Sequence, residues 1–294
     1  MKLVYCLTSV LLLSAACTSG VDTSDTTTTK APTTREFDKE LSDAEKLIEP
    51  KKTIEDKKTF PNGIRIQWFE KTDGPLVQEG AVYEINFKTK LENGEVVDGN
   101  FKLKRDMLPF LVGYGMQTPG FDLAMKELRV GDFVEVYIPG KLARGKKGIP
   151  GVIPPNAPNI VMLRVGKEIK PLKTVDGVKV WRLEENPEMT DAKVGENSNL
   201  AIHYFVGTKS NPRYDNSYQR NVPFGFGMKD ASLIPGLRKG ILNTKMYDKL
   251  YIVVPAKEAY GSRGYVDLVK PNEDLFYDII IMDVDGKSVQ KSEN

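Results

Sequence analysis

Cysteine is almost missing from this chain: of 294 residues only Cys6 and Cys17 carry a thiol, both inside the first twenty. The part that follows can contain neither a disulfide nor a thiolate metal site. Histidine is scarcer still, since His203 stands alone; metal binding and a Ser-His relay both lack partners for it. A surplus of charge is absent too. Forty-two basic side chains face forty acidic ones, a formal charge of +2, which gives no electrostatic footprint for a polyanion and excludes nucleic acid from the expected partners. Apolar residues are plentiful by contrast, at 40%, enough over this length to fill two cores of ordinary size.

The N-terminus reads Met1, Lys2, a largely apolar run through Leu13, then Ser14-Ala15-Ala16-Cys17. A short charged start, an apolar stretch too short for a comfortable membrane span, and small residues at a cleavage point predict a secretory signal peptide over 1–16. A cysteine directly after small residues resembles the bacterial lipobox, with Ser14 where an aliphatic residue is usual. It makes Cys17 an acylated mature N-terminus; the alternative is an ordinary signal peptide with a chance cysteine. Thr18 to Arg35 is rich in Thr, Ser, Asp, Gly and Pro and offers little to bury, so it reads as a tether spanning roughly 25 Å as a coil. From Glu36 to Lys58 the chain is highly charged, with Phe37, Leu41, Ala44, Leu47 and Ile48 near helical spacing. A short surface helix and a solvated linker fit equally well there.

The remainder repeats itself about 116 residues on, as Pro119 does at Pro235. Asn62-Gly63-Ile64-Arg65-Ile66-Gln67-Trp68 returns as Asp176-Gly177-Val178-Lys179-Val180-Trp181, an alternating strand entered through a turn, its Trp a core anchor. Thr118-Pro119-Gly120-Phe121 is answered by Ile234-Pro235-Gly236-Leu237. Each opens a short amphipathic stretch, expected as helix over Phe121 to Leu128 and Leu237 to Leu242. Strands follow at Phe133 to Pro139 and Lys249 to Pro255, and Pro154-Pro155-Asn156 and Lys270-Pro271-Asn272 precede a closing strand. Each repeat thus predicts an α+β domain, an antiparallel sheet wrapped around one short helix. The boundaries expected are 17–56 for tether and linker, 57–170 and 171–287 for the two domains, and 288–294 for a polar tail. Because each repeat has its own strands and helix, the two are expected to fold separately.

The residues resemble the FKBP family of macrolide-binding prolyl isomerases over nearly all of 60 to 168 and 174 to 285. In the first repeat the resemblance rests on Gly148-Ile149-Pro150-Gly151-Val152-Ile153-Pro154-Pro155-Asn156-Ala157. In the second it rests on Ile202-His203-Tyr204, Tyr214-Asp215-Asn216-Ser217, Pro223-Phe224 and Ala259-Tyr260-Gly261. It implies two consecutive FKBP-like domains and a reaction that needs no cofactor and no metal. A peptide bond rotates over a barrier of about 18–20 kcal/mol held up by resonance. An apolar pocket that grips the proline ring and strips water from the imide favours the twisted state, and each 1.4 kcal/mol of preference for it is about tenfold in rate.

Carried over position by position, the resemblance makes Tyr204, Tyr214, Phe224, Ile234, Leu237 and Tyr277 the walls and floor of a proline pocket in the second repeat. Leu233 joins them as a substrate-binding residue, and Tyr265 and Val269 overhang from the final loop. Tyr260 donates its hydroxyl to a substrate carbonyl, and the Ile234 N–H serves the other side. Asp215 sits at the rim, held by Tyr204 and Arg220. Leu237 departs from the Trp floor of the best-known members and offers a smaller platform; Phe226 reads as plain core. The first repeat departs further: Phe87 for the first tyrosine, Val97 before Asp98, Leu108 and Thr118 on the walls, Phe121 on the floor, Val161 on the last strand. Arg144 stands where the hydroxyl donor belongs, bringing charge and water to a site that works by being dry. Lys146 and Lys147 beside it read as solvated loop surface.

Two functions remain in competition. One is an isomerase, active in the second domain, that assists proline-limited folding of secreted or envelope proteins. The other is a non-catalytic peptide-binding or chaperone module, or a subunit of an envelope complex. With the lipid anchor, the resemblance places the protein in the cell envelope, at the outer membrane facing the periplasm.

Overall fold

The computed structural model describes residues 53–103, 105–185 and 192–287. The signal peptide, Cys17, the tether and the polar tail lie outside the described residues. Among those described, no helix is long and apolar enough to cross a membrane.

The first seven strands are β1 (Asp56–Thr59), β2 (Arg65–Glu70), β3 (Val82–Lys90), β4 (Val96–Gly99), β5 (Leu108–Leu111), β6 (Phe133–Ile138) and β7 (Asn159–Ile169), with helix α1 (Pro119–Met125) between β5 and β6. They form a sheet in the order β1-β2-β6-β7-β3-β4, with β5 on β3. The next seven are β8 (Lys173–Val175), β9 (Val178–Glu184), β10 (Asn199–Gly207), β11 (Asp215–Asn216), β12 (Phe224–Gly227), β13 (Lys249–Val254) and β14 (Leu275–Val284), with helix α2 (Pro235–Ile241) between β12 and β13. Their order is β11-β10-β14-β13-β9-β8, with β12 on β10. This is the tandem α+β architecture expected from the repeat.

Both helices begin two residues before the first apolar residue of the amphipathic stretch. A proline at the first helical position costs no hydrogen bond and presets φ, so Pro119 and Pro235 start the turn. In α1 the Thr118 side chain also accepts from the Phe121 N–H. The glycine that follows each proline sets how closely the helix approaches its sheet. A Cβ on Gly120 would lie 2.3 Å from Ile138 Cγ2, and one on Gly236 2.2 Å from Val254 Cγ1. Helix α2 therefore rests directly on β13, with Leu237 and Ile241 buried among Val180, Ile202, Ile252 and Ile279.

The described residues group into two compact units. Gln78–Tyr83 and Pro109–Gln117, although they belong to the first repeat, group with the second unit, together with the described residues from Glu168 onward. Strand β13 shows the consequence. Side chains alternate along a strand, so Leu250, Ile252 and Val254 face the core under α2, while Tyr251 and Val253 join a separate cluster with Val82, Leu111, Tyr114, Trp181 and Phe276. Both tryptophans are core anchors: Trp68 donates to the buried Asp132 carboxylate at 2.9 Å, and Trp181 donates to the Ile169 carbonyl at 2.9 Å.

Candidate active site

A cavity of about 600 Å³ opens in the second unit. Strand β10 supplies Ile202, Tyr204 and Val206 to its wall, β12 supplies Phe224 and Phe226, and β14 supplies Tyr277. Leu237, at the head of α2, forms the floor, with Leu233 and Ile234 leading into it. The loops before β11 and after β13 bring in Tyr214, Tyr260, Tyr265 and Leu268. The aromatic rings brace one another. Phe224 meets Tyr204 edge-on at 6.0 Å between centroids and stacks on Phe226 at 5.5 Å, and Tyr260 stacks on Tyr265 at 4.6 Å.

The Asp215 carboxylate at the rim sits in a fixed arrangement. Asp215 accepts a hydrogen bond from the Tyr204 hydroxyl and another from Arg220 Nη1 at 2.8 Å. Arg220 Nη2 donates to the Tyr204 oxygen at 2.9 Å, closing a three-membered ring of contacts. Burial pushes the Asp215 carboxyl up, but bonds from Tyr204 and Arg220 outweigh it and hold the group below the ordinary carboxylate range. Burial, and then the bond to Asp215, push the Tyr204 phenol up to about 12. Burial likewise raises Tyr214, Tyr260 and Tyr277, each further disfavoured as a phenolate by neighbouring acidic groups. All four tyrosines are thus neutral hydroxyls at physiological pH. The Tyr204 hydroxyl is committed to its two partners, whereas the Tyr260 hydroxyl makes no hydrogen bond among the described residues.

The expected pocket residues Tyr204, Tyr214, Asp215, Phe224, Leu233, Ile234, Leu237, Tyr260, Tyr265 and Tyr277 all line this one cavity. Arg220 lies outside the lining and acts through Asp215 and Tyr204. Val269 is placed differently from the expected overhang: it is 1% exposed in the core, because its pairing with Tyr265 turns it inward, and Leu268 faces the cavity instead. Phe226 is core and cavity wall at once. Sequence reading missed Ile202 and Val206, although both sit two residues from Tyr204 and so on its face of the strand. Asp230 and Ser232 also line the rim, and nothing in their spacing marked them.

The matching positions of the first unit are built differently. Phe87 and Phe121 pack edge-on at 5.7 Å, both buried. Val97 is buried against Leu91 and Ile153, Thr118 caps α1, and Val161 is 1% exposed in β7. Leu108 is half-buried at the start of β5. Phe87, at the position of Tyr204, carries no hydroxyl to offer Asp98, whose carboxylate lies 3.7 Å from Lys102 Nζ. Arg144 occupies the same backbone as Tyr260, with φ, ψ of −94°, 1° against −100°, −4°. Among the described residues no cluster of three or more His, Cys, Asp or Glu side chains could hold a metal ion.

A ring-walled cavity that mixes apolar side chains, neutral hydroxyls and the carboxylates of Asp215 and Asp230 suits a ligand with both apolar and polar parts. The chain is similar to known proteins. The family model described as FKBP-type peptidyl-prolyl cis-trans isomerase matches residues 74–161 and 190–282. Mouse (Mus musculus) peptidyl-prolyl cis-trans isomerase FKBP10 is 26% identical over 212 residues, 71% of this chain and 35% of its own length. FK506-binding protein 1 of Candida glabrata is 31% identical over 108 residues, 37% of this chain and 93% of its own. The solved three FKBP domains of wheat FKBP73 align at 20% identity and a TM-score of 0.38, covering 76% of this chain and 95% of that one. The chain spans about a third of the length of the animal relatives it matches.

Proposed function

We propose, for a chain that belongs to the FKBP-type peptidyl-prolyl cis-trans isomerase family, that it catalyses rotation of X-Pro bonds and does so in the cavity of its second unit. The observation that carries this reading is the gathering of Tyr204, Tyr214, Phe224, Leu237, Tyr260 and Tyr277 around one cavity. The rings enclose the pyrrolidine and exclude water from the imide. The Tyr260 hydroxyl donates to one flanking carbonyl, and the backbone N–H of Ile234, which no described backbone carbonyl takes, donates to the other. As the bond twists, amide resonance is lost and the nitrogen becomes more pyramidal; a dry pocket favours that less polar state over the planar one. The smaller Leu237 floor lowers the affinity for a macrolide more than it lowers turnover. The first unit acts as a binding or spacing module, because Arg144 places a cation where Tyr260 places a neutral donor.

The clients on this reading are proline-containing segments of secreted or envelope proteins. Acylated Cys17 anchors the protein, and the Thr-rich tether holds it off the outer membrane on the periplasmic side. The anchor is supported by Ala15-Ala16-Cys17 after the apolar run and by the Thr-rich stretch that follows. Cys17→Ser is expected to move the protein from the membrane to the soluble fraction; continued detergent-sensitive membrane association would remove the anchor from the account. The isomerase reading is tested by a prolyl-peptide isomerisation assay on the full chain. Turnover above the uncatalysed rate is expected, whereas peptide binding with no turnover would favour the non-catalytic module, for which the loss of the donor tyrosine in the first unit speaks.

A further inference from the structure

In the second unit the loop that closes over the cavity is anchored from below. Tyr265 N–H donates to the Val269 carbonyl at 2.9 Å and Val269 N–H returns to the Tyr265 carbonyl at 3.1 Å. Val269 is buried in the core, and Gly264, at φ +65°, lets the backbone pass so close that a Cβ there would lie 2.3 Å from the Val269 carbonyl oxygen. At the tip, Val266 is held at φ +46°, a region that β-branched residues rarely enter. The first unit builds the same loop: Ile149 bridges Ile153, and Gly148, at φ +57°, passes so close that a Cβ there would lie 2.3 Å from the Ile153 carbonyl oxygen. There Ile149 stands in place of Tyr265 and Arg144 in place of Tyr260. The loop thus forms without an aromatic pair, so folding does not call for the stack in the second unit. That stack is close and nearly parallel, with centroids 4.6 Å apart and planes 17° apart, although Tyr265 is 45% exposed.

We propose that Tyr265 is the positioning residue for Tyr260: its ring, laid flat on the Tyr260 ring and fixed by the anchored loop, sets the direction of the Tyr260 hydroxyl into the cavity and keeps bulk water from it. The inference rests on the isomerase reading of the same cavity and assigns Tyr265 a role through Tyr260, in place of the direct grip on substrate that the family resemblance implied. A phenol with no intramolecular hydrogen bond is oriented only by what packs on its ring. A donor already aimed loses less freedom when the substrate carbonyl arrives, and misplacement of such a group lowers rate steeply. Burial raises the Tyr260 phenol, and the neighbouring Tyr265 adds to the effect.

The test is a double-mutant cycle in the full chain. Tyr265→Ser is expected to lower kcat roughly tenfold with KM changed by less than about twofold, while Tyr265→Phe, which keeps the ring, retains most of the rate. In a Tyr260→Phe background, Tyr265→Ser is expected to cause no further fall, because there is no hydroxyl left to aim. An equal fall in both backgrounds would show direct contact with the substrate and overturn the proposal. A second readout does not depend on turnover. With the tyrosine ring carbons labelled, NMR titration of Tyr260 is expected to give a lower midpoint in Tyr265→Ser than in Tyr265→Phe, because only the former uncovers the ring. Equal midpoints would overturn the proposal. Absence of turnover in the unsubstituted chain would instead remove the isomerase reading, and the titration would still decide whether the ring is covered.

Discussion

Tyr260 and Arg144 stand on matching backbone in matching loops, so the chemical difference between the two units comes down to a few side chains. A neutral phenol can donate one hydrogen bond and leave the cavity dry; a guanidinium carries a charge that must stay hydrated or paired, at a cost of several kcal/mol if it is neither. The rim carboxylate follows the same logic, since Asp215 is held by Tyr204 and Arg220. Its pKa lies below the unfolded value of about 3.9. The stability it contributes is therefore complete above that value and is lost as pH falls through the lower folded value. With Tyr204 raised to about 12 and Tyr260 raised as well, neither of these phenols changes charge near neutrality. The pH–rate profile of kcat/KM is expected to be flat between about pH 6 and 9; a bell centred in that window, measured with a proline peptide, would mean that an acid or base takes part.

Helix α2 is the element that fixes the floor, and its seat depends on Gly236. A methyl group there would meet Val254 Cγ1 at 2.2 Å and the Glu258 backbone oxygen at 3.0 Å. Gly236→Ala is expected to cost about 1–3 kcal/mol as an overpacking defect and to shift Leu237, so that the denaturation midpoint and the peptide rate fall together. An unchanged midpoint would mean that the helix can slide without cost. The close approach was legible in advance only as a Pro-Gly pair at a repeat distance. Period-two alternation located β6 and β13, because burial on a sheet writes itself into every second residue. The loop residues Leu268, Asp230 and Ser232 left no such trace, since a loop has no period and its facing is set by tertiary anchors such as the Tyr265–Val269 pairing.

For the whole molecule, a repeat read from sequence and a unit that packs as one body are different things. The repeat pointed to strands and helices, and the family resemblance to most of the cavity wall. It could not show that Gln78–Tyr83 and Pro109–Gln117 group with the second unit, because Val82, Leu111 and Tyr114 read as ordinary apolar residues until their neighbours are known. A fragment starting at Glu168 lacks those three and leaves Trp181, Tyr251, Val253 and Phe276 partly uncovered. It is expected to be about 2–5 kcal/mol less stable than the same unit in the full chain, measured by urea unfolding; equal stability would make the three residues dispensable to that core. The assignment of catalysis to the second unit is tested most directly by prolyl-peptide isomerisation with the full chain and three variants. Tyr260→Arg is expected to reduce the rate to background and Tyr260→Phe to reduce it roughly tenfold, about the worth of one neutral hydrogen bond, while Arg144→Ala leaves it unchanged. Activity that survives Tyr260→Arg, or that disappears with Arg144→Ala, would contradict the assignment.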